Sequence, residues 1–177
     1  VFIANGPGFN KLYLNKGDFT FSDNTVEANL TGGSSWTAGA PIVDIDGDGD
    51  LDIYACNYNS PNQLFINDGK GIFKENSKKF GLDINGAILM AAFADYDNDG
   101  DLDAYLLGHR HYRNSGNPEK PPTVFKDGTY QVLPSYSKYF QVNLNSMPGF
   151  KLDTAGARDF LMINENGKFR DASVEAG

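Results

Sequence analysis

Cysteine is nearly absent from this chain: Cys56 is the single thiol in 177 residues, so no internal disulfide can staple it. Histidine is almost as scarce. Both copies lie in the run His109-Arg110-His111, with no third ligand nearby to complete a metal site of soft or borderline type. No stretch is long and apolar enough to cross a membrane as a helix. No signal peptide is visible, as expected of an internal piece of a longer protein. Apolar residues do not recur at the 3.6-residue period that helical repeats require. There is no basic stripe and no nucleic-acid-binding module, so nucleic acid is not an expected partner. The patterns G-x-S-x-G and H-E-x-x-H and a phosphate loop are all missing, which leaves no signature of an enzyme.

Aspartate is abundant, and its arrangement is informative. Asp44-Ile-Asp46-Gly-Asp48-Gly-Asp50-Leu-Asp52 returns 51 residues later as Asp95-Tyr-Asp97-Asn-Asp99-Gly-Asp101-Leu-Asp103. Five carboxylates in nine residues repel one another unless a cation sits among them. Oxygen-only donors at alternate positions of a short loop suit calcium, which takes roughly six to eight oxygen ligands. Positions 1, 3 and 5 are Asp44, Asp46 and Asp48, then Asp95, Asp97 and Asp99. Position 7 (Asp50, Asp101) is expected to offer its backbone carbonyl with the side chain turned outward. Position 9 (Asp52, Asp103) is expected to close the site. Gly49 and Gly100 stand where the chain must bend sharply. Magnesium prefers tighter octahedral geometry with retained waters and fits less well.

An EF-hand is excluded, because position 12 is Ala55 in one copy and Leu106 in the other, where a glutamate is needed. The flanks, Ala40-Pro41-Ile42-Val43 and Leu51-Asp52-Ile53-Tyr54-Ala55 in the first copy, read as strands of a hairpin. The carboxylates also do not support a glycosidase. A general acid needs a raised pKa in a pocket, and metal ligation pushes the other way.

The surroundings repeat as well. Asn10-Lys-Leu12-Tyr13-Leu14-Asn15 matches Asn62-Gln-Leu64-Phe65-Ile66-Asn67, and a third copy is Asp159-Phe160-Leu161-Met162-Ile163-Asn164. Each is followed by a glycine and a phenylalanine, as in Gly69 and Phe73. Each copy predicts two short strands joined by a turn, for example 63–66 and 71–74. With the hairpin around the aspartate loop this makes four strands in about 50 residues, the size of a β-propeller blade. The expected fold is all-β: blades of four antiparallel strands with calcium-binding hairpin loops, a partial propeller of about three blades. Residues 1–36 would end a first blade, 37–86 form a complete second, and 87–177 form a third with an insertion at 109–157. Val1-Phe2-Ile3-Ala4-Asn5 aligns with Ile53-Tyr54-Ala55-Cys56-Asn57. A further aspartate loop is therefore expected before Val1, with the rest of the propeller outside this chain.

These motifs resemble the FG-GAP / VCBS repeat family, integrin-α-like propellers and their cartilage-acidic-protein-like branch. The resemblance rests on the two D-x-D-x-D-G-x-x-D loops and the Leu-Tyr/Phe-Leu/Ile-Asn tails, and leaves out residues 109–157. It implies a propeller of about seven blades, calcium in the hairpin loops, secretion or cell-surface display, and recognition or adhesion without catalysis. The literal Gly39-Ala40-Pro41 precedes its loop, whereas the family's name motif follows it, so that match is a coincidence. Two further readings remain open: an accessory or scaffold propeller of a secreted enzyme, and a structural component of a surface assembly.

The formal charge of −8 is local. The two loops hold ten of the 23 acidic residues, and outside them 15 basic residues face 13 acidic ones. The insertion is basic and aromatic. Its stretch 114–122 reads as turn-rich, and segments 129–133 and 140–144 alternate weakly enough to suggest an extra hairpin. Arg110, Tyr112, Arg113 and Tyr136 have the chemistry to hold an acidic or sugar-like group, so an extracellular protein or glycan is the expected partner. Trp36 is expected in the core or between blades, and Cys56 as a buried, inert thiol. Asn29-Leu30-Thr31 is a glycosylation sequon if the host is a eukaryotic secretory one.

Overall fold

The computed structural model describes residues 1–6, 8–31, 35–111, 113, 115–143 and 151–176. They form two compact units: Val1–Gly108 with Asp159–Gly177, and His109–Arg158.

The first unit is built from antiparallel strands. β1 (Phe2–Ile3), β2 (Lys11–Gly17) and β3 (Thr20–Asp23) make a three-stranded sheet. The next strands are β4 (Trp36–Gly39), β5 (Ile42–Val43), β6 (Asp52–Pro61), β7 (Gln63–Asn67) and β8 (Phe73–Glu75). β4 and β5 both pair with β6, and together they are one strand interrupted at Ala40-Pro41, where proline cannot donate to the ladder. β6 pairs β7, and β7 pairs β8. The pattern returns in β9 (Asn85–Ala94), β10 (Asp103–Gly108), β15 (Phe160–Asn164) and β16 (Phe169–Asp171), paired in that order. The fold is thus the expected all-β partial propeller of four-stranded antiparallel groups.

One feature lies beyond the repeat pattern. The far end of β6 also pairs with the start of β9, Tyr58 opposite Ala87 and Pro61 opposite Asn85, so two groups of strands share one nine-stranded sheet.

Apolar residues fill two cores. In one, Ala28 and Leu30 meet Ile53, Ala55, Phe65 and Phe73. In the other, Tyr54, Leu64 and Leu82 meet Leu106, Met162 and Phe169. Burying each such large side chain stabilises the fold by roughly 1.5–3 kcal/mol. Cys56 is fully buried, and burial pushes its thiol up to about 12, so it is protonated and inert. A single helical turn, α1 (Ser77–Phe80), delivers Phe80 and Leu82 to the second core. It ends at Gly81 in the left-handed region (φ 77°), where an added Cβ would collide with the Phe169 carbonyl oxygen.

Of the two places expected for Trp36, the core is not the one it takes. It is 46% exposed, lies against the Tyr58 ring at 5.4 Å, and has its indole nitrogen beside Gly6 of the first strand group. The sequon asparagine Asn29 uses its amide to donate to the Phe73 carbonyl at 3.0 Å.

The second unit contains β11 (Thr123–Lys126), β12 (Thr129–Val132), a 3-10 turn at Pro134–Tyr136, β13 (Phe140–Asn143) and β14 (Lys151–Thr154). The extra hairpin expected from segments 129–133 and 140–144 is instead two hairpins. β12 pairs back onto β11 across the Asp127-Gly128 turn, and β13 pairs with β14. A tight Asp-Gly turn forms its nearest pairing first, which the weak alternation did not reveal. Leu144 lies outside the described residues.

Candidate metal centre

The two aspartate loops join β5 to β6 and β9 to β10, the same corner of successive strand groups. Carboxylate oxygens of Asp44, Asp46 and Asp48 lie within 4.8 Å of one another, and those of Asp95, Asp97 and Asp99 do the same. The backbone explains how. Gly47 and Gly49 have φ of 74° and 95°, and the matching Asn98 and Gly100 have 63° and 97°. These left-handed residues fold the loop back on its first aspartate. Asp44 then accepts from the N–H groups of Gly47 (2.8 Å), Asp48 (3.1 Å) and Gly49 (2.9 Å). Asp95 accepts from those of Asp99 (3.1 Å) and Gly100 (3.2 Å). The third aspartate caps the exit: Asp48 accepts from Asp50 N, and Asp99 from Asp101 N, both at 2.9 Å.

The aspartate at position 9 braces the loop. Asp52 is fully buried and accepts from Ile45 N (2.9 Å) and Asn67 N (2.8 Å). Asp103 accepts from Tyr96 N (2.9 Å) and Asn164 N (2.8 Å). Each ninth carboxylate therefore ties its loop to the third strand of its own group. Asp50 sits beside Gly69, where an added Cβ would overlap its Oδ2. Asn67 and Asn164 complete the corner by donating their side-chain amides to Leu51 O and Leu102 O.

Burial and the neighbouring carboxylates both act on the central aspartates. Burial, then the charge of Asp48, raises the Asp46 pKa. Desolvation, then Asp99 and Asp103, raises that of Asp97. Asp52 is raised by burial even though its two backbone N–H donors oppose it. Each cluster is a set of hard oxygen donors held together against mutual repulsion, so the donor chemistry fits a hard divalent cation. Between the loops runs a polar crevice of about 540 Å3, with Asp46, Lys79, Asp101 and Asn166 on its walls.

The residues singled out in the insertion are partly gathered. The Arg113 guanidinium lies over the Tyr136 ring at 4.9 Å and donates to Gly116 O at 2.8 Å. Arg110, His111 and Arg113 share a hollow of about 340 Å3 with Tyr139 and Phe140, which Tyr136 does not line. Tyr112 lies outside the described residues. Among the described residues the imidazoles of the His-Arg-His run belong to no cluster of three or more metal-ligating side chains, and His109 Nδ1 accepts from Arg110 N.

Asn10, Asn62 and Asp159 were visible only as the first residues of a repeated motif. Each accepts a backbone N–H from the segment that precedes it: Asn5 at 3.0 Å, Asn57 at 2.8 Å and Gly108 at 2.7 Å.

The FG-GAP-like repeat family model matches residues 1–55 and 44–106. Curated relatives include cartilage acidic protein 1 from Homo sapiens, 30% identical over 121 residues, which are 66% of this chain and 18% of that protein. The Xenopus tropicalis protein of the same name is 32% identical over 110 residues, 60% of this chain and 17% of its own length. The Mus musculus protein is 30% identical over 121 residues, 66% of this chain and 18% of its own. The chain thus spans less than a fifth of the length of these relatives. The loops, their recurring corner and the family match over 1–106 together identify it as a member of the FG-GAP-like repeat family.

Proposed function

We propose that each aspartate loop binds one calcium ion, and that the chain is a calcium-stabilised, non-catalytic propeller segment for extracellular recognition. The observation that carries this is the repetition of one three-carboxylate geometry at the same corner of two strand groups. Asp44, Asp46 and Asp48 would hold one ion, and Asp95, Asp97 and Asp99 the other. Asp50 and Asp101 would each add a backbone carbonyl. Asp52 and Asp103 keep lone pairs beyond their backbone bonds and would close each site. The ion supplies positive charge that relieves the repulsion and cross-links the loop.

In this reading the blades are residues 1–36, 37–86 and 87–177, with the insertion leaving the third between its second and third strands. The insertion, through Arg110, Tyr112, Arg113 and Tyr136, is the element that meets an acidic protein or glycan outside the cell. Its support is the excess of basic side chains and the cation–π pair of Arg113 with Tyr136.

Isothermal titration of chelator-stripped protein with calcium tests the metal assignment. Two ions should bind per chain, one in Asp46→Asn or Asp97→Asn, and none in the double variant. A folded chain that takes up no calcium at millimolar concentration removes the proposal.

A further inference from the structure

The hollow beside Arg110 is walled by the second unit alone, by residues between Arg110 and Thr154. Arg110, His111 and Arg113 line it with Tyr139, Phe140 and Thr154, around a volume of about 340 Å3. That lies within the roughly 300–1,000 Å3 that small-molecule sites occupy. Among the described residues on its walls there is no aspartate or glutamate. Backbone pairing holds the walls in place. Arg110 bridges Gly156, Ala157 N donates to His109 O at 2.7 Å, and Ala155 N donates to Tyr139 O at 2.9 Å. Phe140 pairs with Thr154 at the base of the β13–β14 hairpin.

This chemistry selects a ligand that is both anionic and ring-shaped. The two guanidiniums give fixed charge and forked N–H donors, which suit carboxylate or sulfate oxygens. Burial, then the charge of Lys138, holds the His111 imidazole below its ordinary pKa. At neutral pH it is therefore uncharged and offers one N–H and one lone pair, which is what a hydroxyl needs. Tyr139 and Phe140 add aromatic surface. A sugar ring has apolar C–H faces and a polar rim, so it uses the rings and the donors together, whereas an acidic peptide side chain uses the donors alone. A second hollow, of about 460 Å3, shares Arg113 and Asn117 with the first and continues to Glu119, Lys120 and Tyr136. Arg113 lines both, fixed over the Tyr136 ring and by its bond to Gly116 O. Two joined hollows take a chain of sugars better than a single one.

We infer that the insertion binds an acidic oligosaccharide, with one carboxylated or sulfated sugar seated against Arg110, Arg113 and Phe140 and the chain running past Arg113 into the second hollow. This rests on the reading of the insertion as a recognition element.

Nuclear magnetic resonance titration of the whole 177-residue chain in calcium-containing buffer tests it. The arginine Nε and aromatic ring signals are followed up to about 10 mM ligand, which populates millimolar contacts. Trigalacturonate and sulfated maltotriose separate carboxylate from sulfate as the acid, and at least one of them should shift the Arg113 and Phe140 signals. Neutral maltotriose, inorganic sulfate and single galacturonate should each bind about tenfold more weakly or worse. Arg110→Gln should weaken the acidic trisaccharide about tenfold, through loss of a charge-assisted hydrogen bond, and Arg110→Lys should restore part of the loss. Phe140→Leu should weaken the trisaccharide and leave inorganic sulfate unchanged. Backbone spectra establish that each variant is folded. Arg113→Lys, which keeps the charge and loses the fork, replaces Arg110→Gln if that variant unfolds. Maltotriose or inorganic sulfate binding as tightly as the acidic trisaccharide overturns the inference. Triglutamate shifting these signals where no sugar does overturns it too, while leaving the insertion as a recognition element for acidic protein. Shifts from none of these probes remove both readings.

Discussion

Gly108 N donates to Asp159 Oδ1 at 2.7 Å, although the two residues are 51 apart in sequence. Asp159 Oδ2 also accepts from the Tyr105 hydroxyl at 2.6 Å. The exit and the return of the insertion are thus clamped to each other within the first unit. Replacing residues 109–158 by the short connector 58–61 should leave that unit folded. The expected melting temperature lies within about 8 °C of the full chain, equivalent to a change of up to ~2 kcal/mol in a chain of this size. Calorimetry checks it, and loss of the cooperative transition would contradict the clamp.

Removing calcium should lower stability. At free calcium near 100 times the dissociation constant, each filled site adds about 2.7 kcal/mol. In a chain this long that corresponds to roughly 5–10 °C of melting temperature per site. Chelator should therefore lower the wild-type transition by the largest step. Asp46→Asn and Asp97→Asn should each lose about one site's share, and the double variant should be indifferent to chelator. Differential scanning fluorimetry with and without chelator reads this directly.

The calcium effect should fade on acidification sooner than ordinary carboxylates would dictate. The Asp46 and Asp97 pKa values are raised, so protons begin to compete with the ion above the usual aspartate range. In chelated protein these two groups act with the opposite sign. The folded state holds their protons more tightly than the unfolded chain does. Their contribution therefore favours folding as pH falls through that window and disfavours it as pH rises. The melting-temperature difference between calcium and chelator, measured from pH 7.5 down to pH 4.5, should narrow steadily. A difference that holds constant until ordinary aspartates protonate would contradict the shift.

Tyr54 should be sensitive to loss of one atom. Its hydroxyl accepts from Asn62 Nδ2 at 2.8 Å and donates to Leu82 O at 2.9 Å, all within a buried core. Tyr54→Phe leaves both partners unpaired and should cost about 1–3 kcal/mol in urea unfolding. Tyr105→Phe breaks an exposed bond to Asp159 and should cost less than about 1 kcal/mol.

What could be read in the sequence was what repeats locally. The aspartate loops are contiguous, so their ligand pattern is legible without a fold. The strand groups follow because one tail motif recurs, at Leu12–Asn15, Leu64–Asn67 and, beyond the insertion, Leu161–Asn164. The bracing by Asp52 and Asp103 is not legible in the sequence, because the partners, Asn67 N and Asn164 N, are backbone groups that any residue but proline possesses. The insertion's hairpins were mispaired for a related reason. Lys151-Leu-Asp-Thr154 has too little alternation to announce a strand, yet it is the partner of Phe140–Asn143. Trp36 shows the converse: a large aromatic suggests burial by its type, while its place at the start of β4 leaves it against Tyr58 and solvent.

The two loops are braced over unequal reaches of chain. Asp52 is tied to a residue 15 positions ahead, and Asp103 to one 61 positions ahead. A polypeptide emerging from the ribosome folds from its N-terminal side as residues appear. The first loop can take its final shape as soon as Asn67 is out. The second must wait for the whole insertion and then Asn164. Two sites alike in geometry are therefore unlike in birth order, and the later one spends the longest interval of synthesis as an unbraced run of negative charge.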